Sequence, residues 1–280
     1  MRLLITGYGY SSKAIHAALE DQLESLTVTT RTPEKAERLQ ASGLDAVVFD
    51  GSQRSADLDR ALASATHLIM SAAPGEAGDP LLATHDLSKA ANLQWAGYLS
   101  TVGVYGNHDG AWVDEDTPTN PQSKRSKQRV AAEEAWLALS ASLSIEIGIF
   151  RLAGIYGPGR SALDKVRDGS ARRIVKPGQV FNRIHVEDIG RVVAAAAAQG
   201  VGGLFNVTDD EPGPPQDVIA HAAALLGVDP PPEVAFEDAD LSPMGRSFYG
   251  ENKRVSNAKI KQAFGSMLHP TYREGLAALF

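Results

Sequence analysis

The chain has 280 residues, no cysteine, and 27 Lys plus Arg against 34 Asp plus Glu, for a net charge of −7. Such a length holds one large or two modest domains, and an apolar fraction of 43% is enough to bury a real core. The acidic balance argues against a nucleic-acid partner, which needs a basic face, and the lack of Cys excludes disulfides and thiolate metal centres.

The N-terminal apolar run, MRLLIT, meets Gly7 too soon for a signal peptide. No apolar run reaches the ~18 residues that a membrane span needs. A cytoplasmic protein with no membrane partner and no metal site is expected. Strands are predicted at Leu3–Thr6, Leu26–Thr30, Ala46–Asp50, His67–Ser71, Trp95–Ser100 and Ile145–Arg151. Helices are predicted at Ser12–Leu23, Glu34–Ser42, Leu58–Ser64, Leu81–Asn92 and Pro121–Leu139, the last with Asn120 as N-cap. This alternation predicts an α/β fold with a doubly wound parallel sheet. The strands are apolar nearly throughout, as expected when helices cover both faces. After residue 157 Gly and Pro become frequent, in GPGR, KPGQ and DDEPGPPQ. A first domain over 1–157 is therefore expected, with 180–207 rejoining its sheet, and a smaller unit over 158–280.

The first strand runs into Gly7-Tyr8-Gly9-Tyr10-Ser11-Ser12 and then a helix. The first Gly permits a tight turn, and the second lets a pyrophosphate approach the backbone at a helix N-terminus. Ser12 takes the place of the usual third Gly or Ala, and its hydroxyl is expected to meet phosphate. The second strand ends Thr30-Arg31, without the acid that binds an NAD ribose. Arg31 suits a 2′-phosphate, so NADP is expected in preference to NAD. Asp50 and Gly51 are expected at the adenine, and Ala72, Ala73 and Pro74 along the cofactor.

LSTVGVYG (99–106), PQSKRSKQRVAAEE, RLAGIYGPGR (151–160) and FNRIHVEDIG (181–190) follow in order. With the glycine turn they resemble the extended short-chain dehydrogenase/reductase superfamily, in its epimerase/dehydratase-like branch. The resemblance covers most of the chain and implies a Rossmann domain with a small C-terminal α/β substrate domain, the active site between them, and a homodimer. It implies a small-molecule substrate, commonly a nucleotide sugar. Phe181 stands where the branch often has an Arg for the sugar's pyrophosphate.

The family's catalytic Ser/Thr falls on Thr101. Its Tyr-x-x-x-Lys pair falls on Arg125 and Arg129, within a run of four cations over 124–129 at a helix start. Guanidinium stays protonated, so Arg125 cannot shuttle a proton. Arg129 retains the hydrogen-bonding half of the Lys role, toward ribose or substrate. The two share a helix face, and an anion site is expected there. The replacement proton donors are Tyr105 and, less directly, His108 and Tyr156. Two functions stand open: an atypical NADP-dependent oxidoreductase or epimerase-type enzyme, and a cofactor-binding sensor without hydride chemistry.

Overall fold

The computed structural model describes residues 1–280. The strands are β1 (Arg2–Thr6), β2 (Ser25–Thr30), β3 (Asp45–Val48), β4 (His67–Met70), β5 (Trp95–Thr101), β6 (Trp112–Val113), β7 (Glu146–Leu152), β8 (Gly154–Tyr156), β9 (Arg173–Val175), β10 (Arg183–His185), β11 (Gly203–Val207), β12 (Glu233–Ala235) and β13 (Arg254–Val255). The helices used below are α1 (Tyr10–Leu19), α2 (Pro33–Ala41), α3 (Ala56–Ser64), α4 (Pro80–Thr84), α5 (Lys124–Leu143), α6 (Ala162–Arg167), α7 (Val186–Gln199) and α8 (Pro215–Leu226).

Seven strands form one sheet in the order β11-β7-β5-β4-β1-β2-β3. The β1–β2, β2–β3, β1–β4 and β4–β5 pairings are all parallel. The order reverses between β1 and β4, and in doubly wound sheets ligands bind beyond the strand ends at that switch.

The chain divides into two compact units. The first comprises 1–101, 123–151 and 189–205, and the second 102–122, 152–188 and 206–280. The segment rejoining the first unit thus begins at residue 189, not 180. The reason is local pairing: β10 pairs in parallel with β8, from Arg183↔Gly154 to His185↔Tyr156, and not with the large sheet. Within the segment 180–207 expected to rejoin the sheet, β11 joins it and β10 does not.

In the first unit Leu4, Leu68, Met70, Ala96 and Tyr98 pack with Leu58 and Leu62 of α3 and with Trp136 of α5. Asp79 ties this core together. One carboxylate oxygen caps α4 at the amides of Leu81 (2.9 Å) and Leu82 (3.2 Å), and the other accepts from Trp136 Nε1 at 3.0 Å. The predicted helix over 81–92 stops at Thr84, because His85 is extended and the Asp86 side chain takes the Ser88 amide. Gly190 of α7 sits where a Cβ would lie 2.6 Å from the Ala14 carbonyl oxygen of α1, so only glycine permits that approach.

The second unit holds three two-stranded sheets and two apolar clusters. One gathers Tyr156, Leu163, Val218, Ala222, Tyr272 and Leu276, and the other Ile174, Ala239 and Tyr249. Asp209 is buried at 1% exposure here, its Oδ2 without a hydrogen-bond partner. Burial pushes its pKa up to about 8, against the pull of Arg183. A carboxyl whose pKa is higher folded than unfolded takes up a proton on folding. Its contribution is therefore full below about pH 4 and declines as pH rises toward 8. Asp209→Asn is expected to flatten that decline and to gain about 2–5 kcal/mol over the parent at pH 9. Urea unfolding of both proteins at pH 5, 7 and 9 checks this; parallel pH profiles would dispose of it.

No helix is long and apolar enough to cross a membrane.

Candidate functional site

The site is built at the C-terminal ends of β1 and β4. Gly7 leaves β1 with φ +86°, and a Cβ there would lie 2.9 Å from the Ala72 amide nitrogen, so the turn requires glycine. The Gly7 amide donates to Thr29 Oγ1 at 3.0 Å, and the Tyr8 amide to the Thr29 carbonyl at 3.0 Å. Gly9 is the N-cap of α1, and the space where its side chain would stand is open to 4 Å. Backbone open to approach at a helix start, with Tyr10 and Ser11 in the first turn, fits a pyrophosphate.

Ser12 corrects the sequence reading. It is fully buried and its hydroxyl donates to the Gly7 carbonyl at 2.8 Å, so it closes the turn and does not face phosphate. The Tyr8 ring is also buried, its hydroxyl 2.8 Å from His16 Nδ1.

Beyond β2, Thr30 is buried and Arg31 exposed. Lys35 of α2 reaches back to donate to the Tyr8 carbonyl at 2.7 Å. Burial, and then the charges of Lys13, Arg31 and Arg38, push its ammonium below the usual lysine range. Four cations therefore crowd the joint between the glycine turn and the β2 end. Sequence reading singled out Arg31 alone. The spacing Arg31, Lys35, Arg38 was the available signal, but Lys13 and Tyr8 join it only in three dimensions.

Asp50, expected at the adenine, is exposed just beyond the end of β3. Its Oδ1 accepts from the Ser52 amide (2.8 Å) and hydroxyl (2.7 Å), which closes its own exposed turn and lowers its pKa. Gly51 follows with φ +86°, against Pro80. The Ala72 amide donates to the Thr6 carbonyl at 3.1 Å. After Ala73 and Pro74 the chain folds back in a Gly75–Gly78 bridge.

Helix α5 starts at Lys124, later than predicted. Ser123, not Asn120, is its N-cap, accepting the Ser126 amide at 3.1 Å. Pro121 lies in the preceding loop, where the Asn120 side-chain oxygen accepts from Gln122 Nε2 at 3.1 Å and its amide donates to the Val104 carbonyl at 3.0 Å. Arg125 falls in the first turn and is exposed. Lys124 pairs with Glu76. Arg129, one turn on and half-buried, donates from Nη1 to the Leu99 carbonyl at 2.7 Å and to the Tyr98 hydroxyl at 3.0 Å. Arg129 is thus anchored on the strand that ends in half-buried Thr101. It does not pair with Glu133, which is buried with Arg151. Burial drives the Tyr98 hydroxyl up to about 12, so it holds its proton at neutral pH.

The candidate proton donors lie in the second unit. Tyr105 is 0% exposed, and its hydroxyl donates to Asn206 Oδ1 at 2.7 Å. It packs inside the fold and presents no acid at a surface. Burial raises the Tyr156 pKa, and its hydroxyl faces the Thr271 carbonyl at 3.4 Å. His108 Nε2 lies 3.0 Å from the Tyr105 carbonyl. Lys253 donates at 2.7 Å to both the Gly106 carbonyl and Glu251, and Arg254 donates to the Gly110 carbonyl. Asp188 accepts the amides of Leu268 (2.6 Å) and His269 (2.9 Å), a fold-fixing role.

A glycine turn on a switched parallel sheet recurs in known proteins. A conserved protein of unknown function from Silicibacter pomeroyi DSS is similar in structure, with TM-score 0.86 and 48% identity, over 99% of this chain and 97% of that one. Protein YeeZ of Escherichia coli K12 is 27% identical over 242 residues, 82% of this chain and 85% of YeeZ. A 3-diazoavenalumate denitrifying reductase of Streptomyces is 29% identical over 185 residues, 59% of this chain. The match spans only 58% of that reductase. The model of the NAD dependent epimerase/dehydratase family matches residues 3–208, from β1 through the glycine turn, α5 and β11. With that match over most of its length, the chain belongs to the NAD dependent epimerase/dehydratase family.

Proposed function

We propose that this protein is an NADP-dependent reductase of a small polar substrate that carries an anionic group beside a carbonyl or similar electrophile. The observation that carries the reading is the exposed Arg125, one helical turn before the anchored Arg129, at the positions of the family's Tyr and Lys. Lys35 and the three cations about it favour a 2′-phosphate over a free ribose hydroxyl. When bound, the cofactor supplies a hydride.

The direction of transfer follows from what the arginines are able to do. Oxidising an alcohol, the first half of an epimerase cycle, needs a base for the hydroxyl proton, and a guanidinium is no base. Reduction needs the opposite. Positive charge fixed beside the electrophile steadies the oxyanion as it develops, and solvent water then supplies the proton. The Streptomyces relative is also named a reductase. Arg125 takes the substrate's carboxylate or phosphate through a planar two-point contact.

A second reading is favoured by the anchoring of Arg129, whose Nη1 is held by strand β5 and Tyr98. It is a binding protein that holds NADP without turnover. NADPH consumption across neutral and carboxylate- or phosphate-bearing carbonyl compounds separates the two. The reductase reading expects turnover of the anionic compounds. Arg125→Ala should lower their kcat/KM by about 10- to 100-fold, the worth of a hydrogen bond to a charged group, with NADPH affinity unchanged. Bound but unconsumed NADPH over the whole panel leaves the sensor reading.

A further inference from the structure

Outside this site, His185, Glu187 and His269 present one ligand atom each, all within 4.8 Å of one another. The group lies wholly in the second unit. His185 ends β10, Glu187 opens α7, and His269 lies far along the chain. His269 Nε2 is 3.0 Å from Glu187 Oε2, and His185 Nδ1 is 4.0 Å from the same oxygen. The imidazoles lie with centroids 3.9 Å apart, tilted by 53°. Both are buried, whereas the Glu187 side chain is 54% exposed.

We propose that His185, Glu187 and His269 form a binding site for a divalent transition-metal ion, with zinc as the best fit. Two imidazoles and one carboxylate are donors of the borderline class that zinc takes, and three protein ligands leave a fourth position for water. Tetrahedral ligands at zinc distances stand about 3.3 Å apart. The Glu187–His269 pair is already near that separation at 3.0 Å, and His185 needs to close by about 0.7 Å toward Glu187 and by at most about 1.5 Å toward His269. Glu187, being on the surface, is free to adjust and gives the ion its entry path. The shell behind the ligands is built. Asp188 holds the Leu268 and His269 amides at 2.6 and 2.9 Å, which fixes the backbone that carries the second imidazole. His185 Nε2 is buried without a hydrogen-bond partner. A proton kept on that nitrogen leaves Nδ1 as the lone-pair atom, now occupied only by the Glu187 amide at 3.3 Å.

The test is zinc titration calorimetry on the metal-stripped full chain, with thermal melts in parallel. The chain has seven His, so binding alone does not locate the ion, and variants are required. One zinc per chain is expected, with a rise in Tm. Glu187→Ala and His269→Gln should each weaken binding at least tenfold. Glu187 is exposed, so its variant reports even if His269→Gln does not fold. No zinc bound, or wild-type affinity in Glu187→Ala, overturns the proposal.

Discussion

Glu133→Ala is expected to cost about 3–5 kcal/mol of stability, the range for removing one partner of a buried ion pair. The Glu133 carboxylate accepts from the Ser100 hydroxyl and from Arg151 at three points: Nε to both oxygens at 3.2 Å and Nη2 to Oε2 at 2.7 Å. The two side chains are only 4% and 6% exposed. Truncation leaves the guanidinium buried without its counter-charge, and that penalty, more than the lost attraction, sets the size of the effect. Helix α5 would also lose its tie to β5 and β7, the strands that carry Ser100 and Arg151. Replacing both partners by apolar residues, Glu133→Leu with Arg151→Met, should recover much of the loss. Urea unfolding of the single and double variants decides. A single-variant loss under about 1 kcal/mol, as for a surface substitution, or a double variant no better than the single, would sink the account.

The second large effect concerns the cofactor. Arg31→Ala with Lys35→Ala should weaken NADP binding at least 100-fold, since each charge-assisted contact to phosphate is worth about 1.5–3 kcal/mol. NAD lacks that phosphate and should bind the variant nearly as it binds the parent. The NADP-over-NAD preference would then fall close to one. Arg31→Ala alone should remove most of it. Lys35 has a second task, holding the Tyr8 carbonyl at 2.7 Å. NAD affinity therefore serves as the internal control: a parallel fall for both cofactors would mean a disturbed turn and not a lost phosphate contact. Calorimetry at low and high salt supplies a further check, because a contact made by exposed charges weakens with screening. Equal NAD and NADP affinities in the parent would refute the preference outright.

Much of the first unit was legible in the linear sequence. β1, β4, β5 and β7 read as largely apolar runs because a sheet covered on both faces needs no polar alternation, and β2 as a β-branched Thr/Val run. Gly7-x-Gly9 announced the turn, since φ +86° at Gly7, with the Ala72 amide 2.9 Å from where a Cβ would stand, is a demand that glycine meets. The cations of α5 were legible as a departure from the family's pattern and as an unfavourable charge at a helix start.

What the chain alone could not determine was partnership. Whether β10 would join the large sheet or pair with β8 depends on which edge is free once the chain has folded. Ser123 and Asn120 are both good caps by type; the choice fell to Ser123, because the Asn120 side-chain oxygen already accepts from Gln122 Nε2 and its amide is held by the Val104 carbonyl. Lys35 becomes a cofactor candidate by reaching back 27 residues to Tyr8, and Tyr105 is withdrawn from acid chemistry by Asn206, 101 residues on. Local patterning sets which elements form because backbone propensity and periodicity act over a few residues. The assignment of each polar side chain waits on tertiary structure, because a buried donor or acceptor must find its partner wherever packing brings one within about 3 Å.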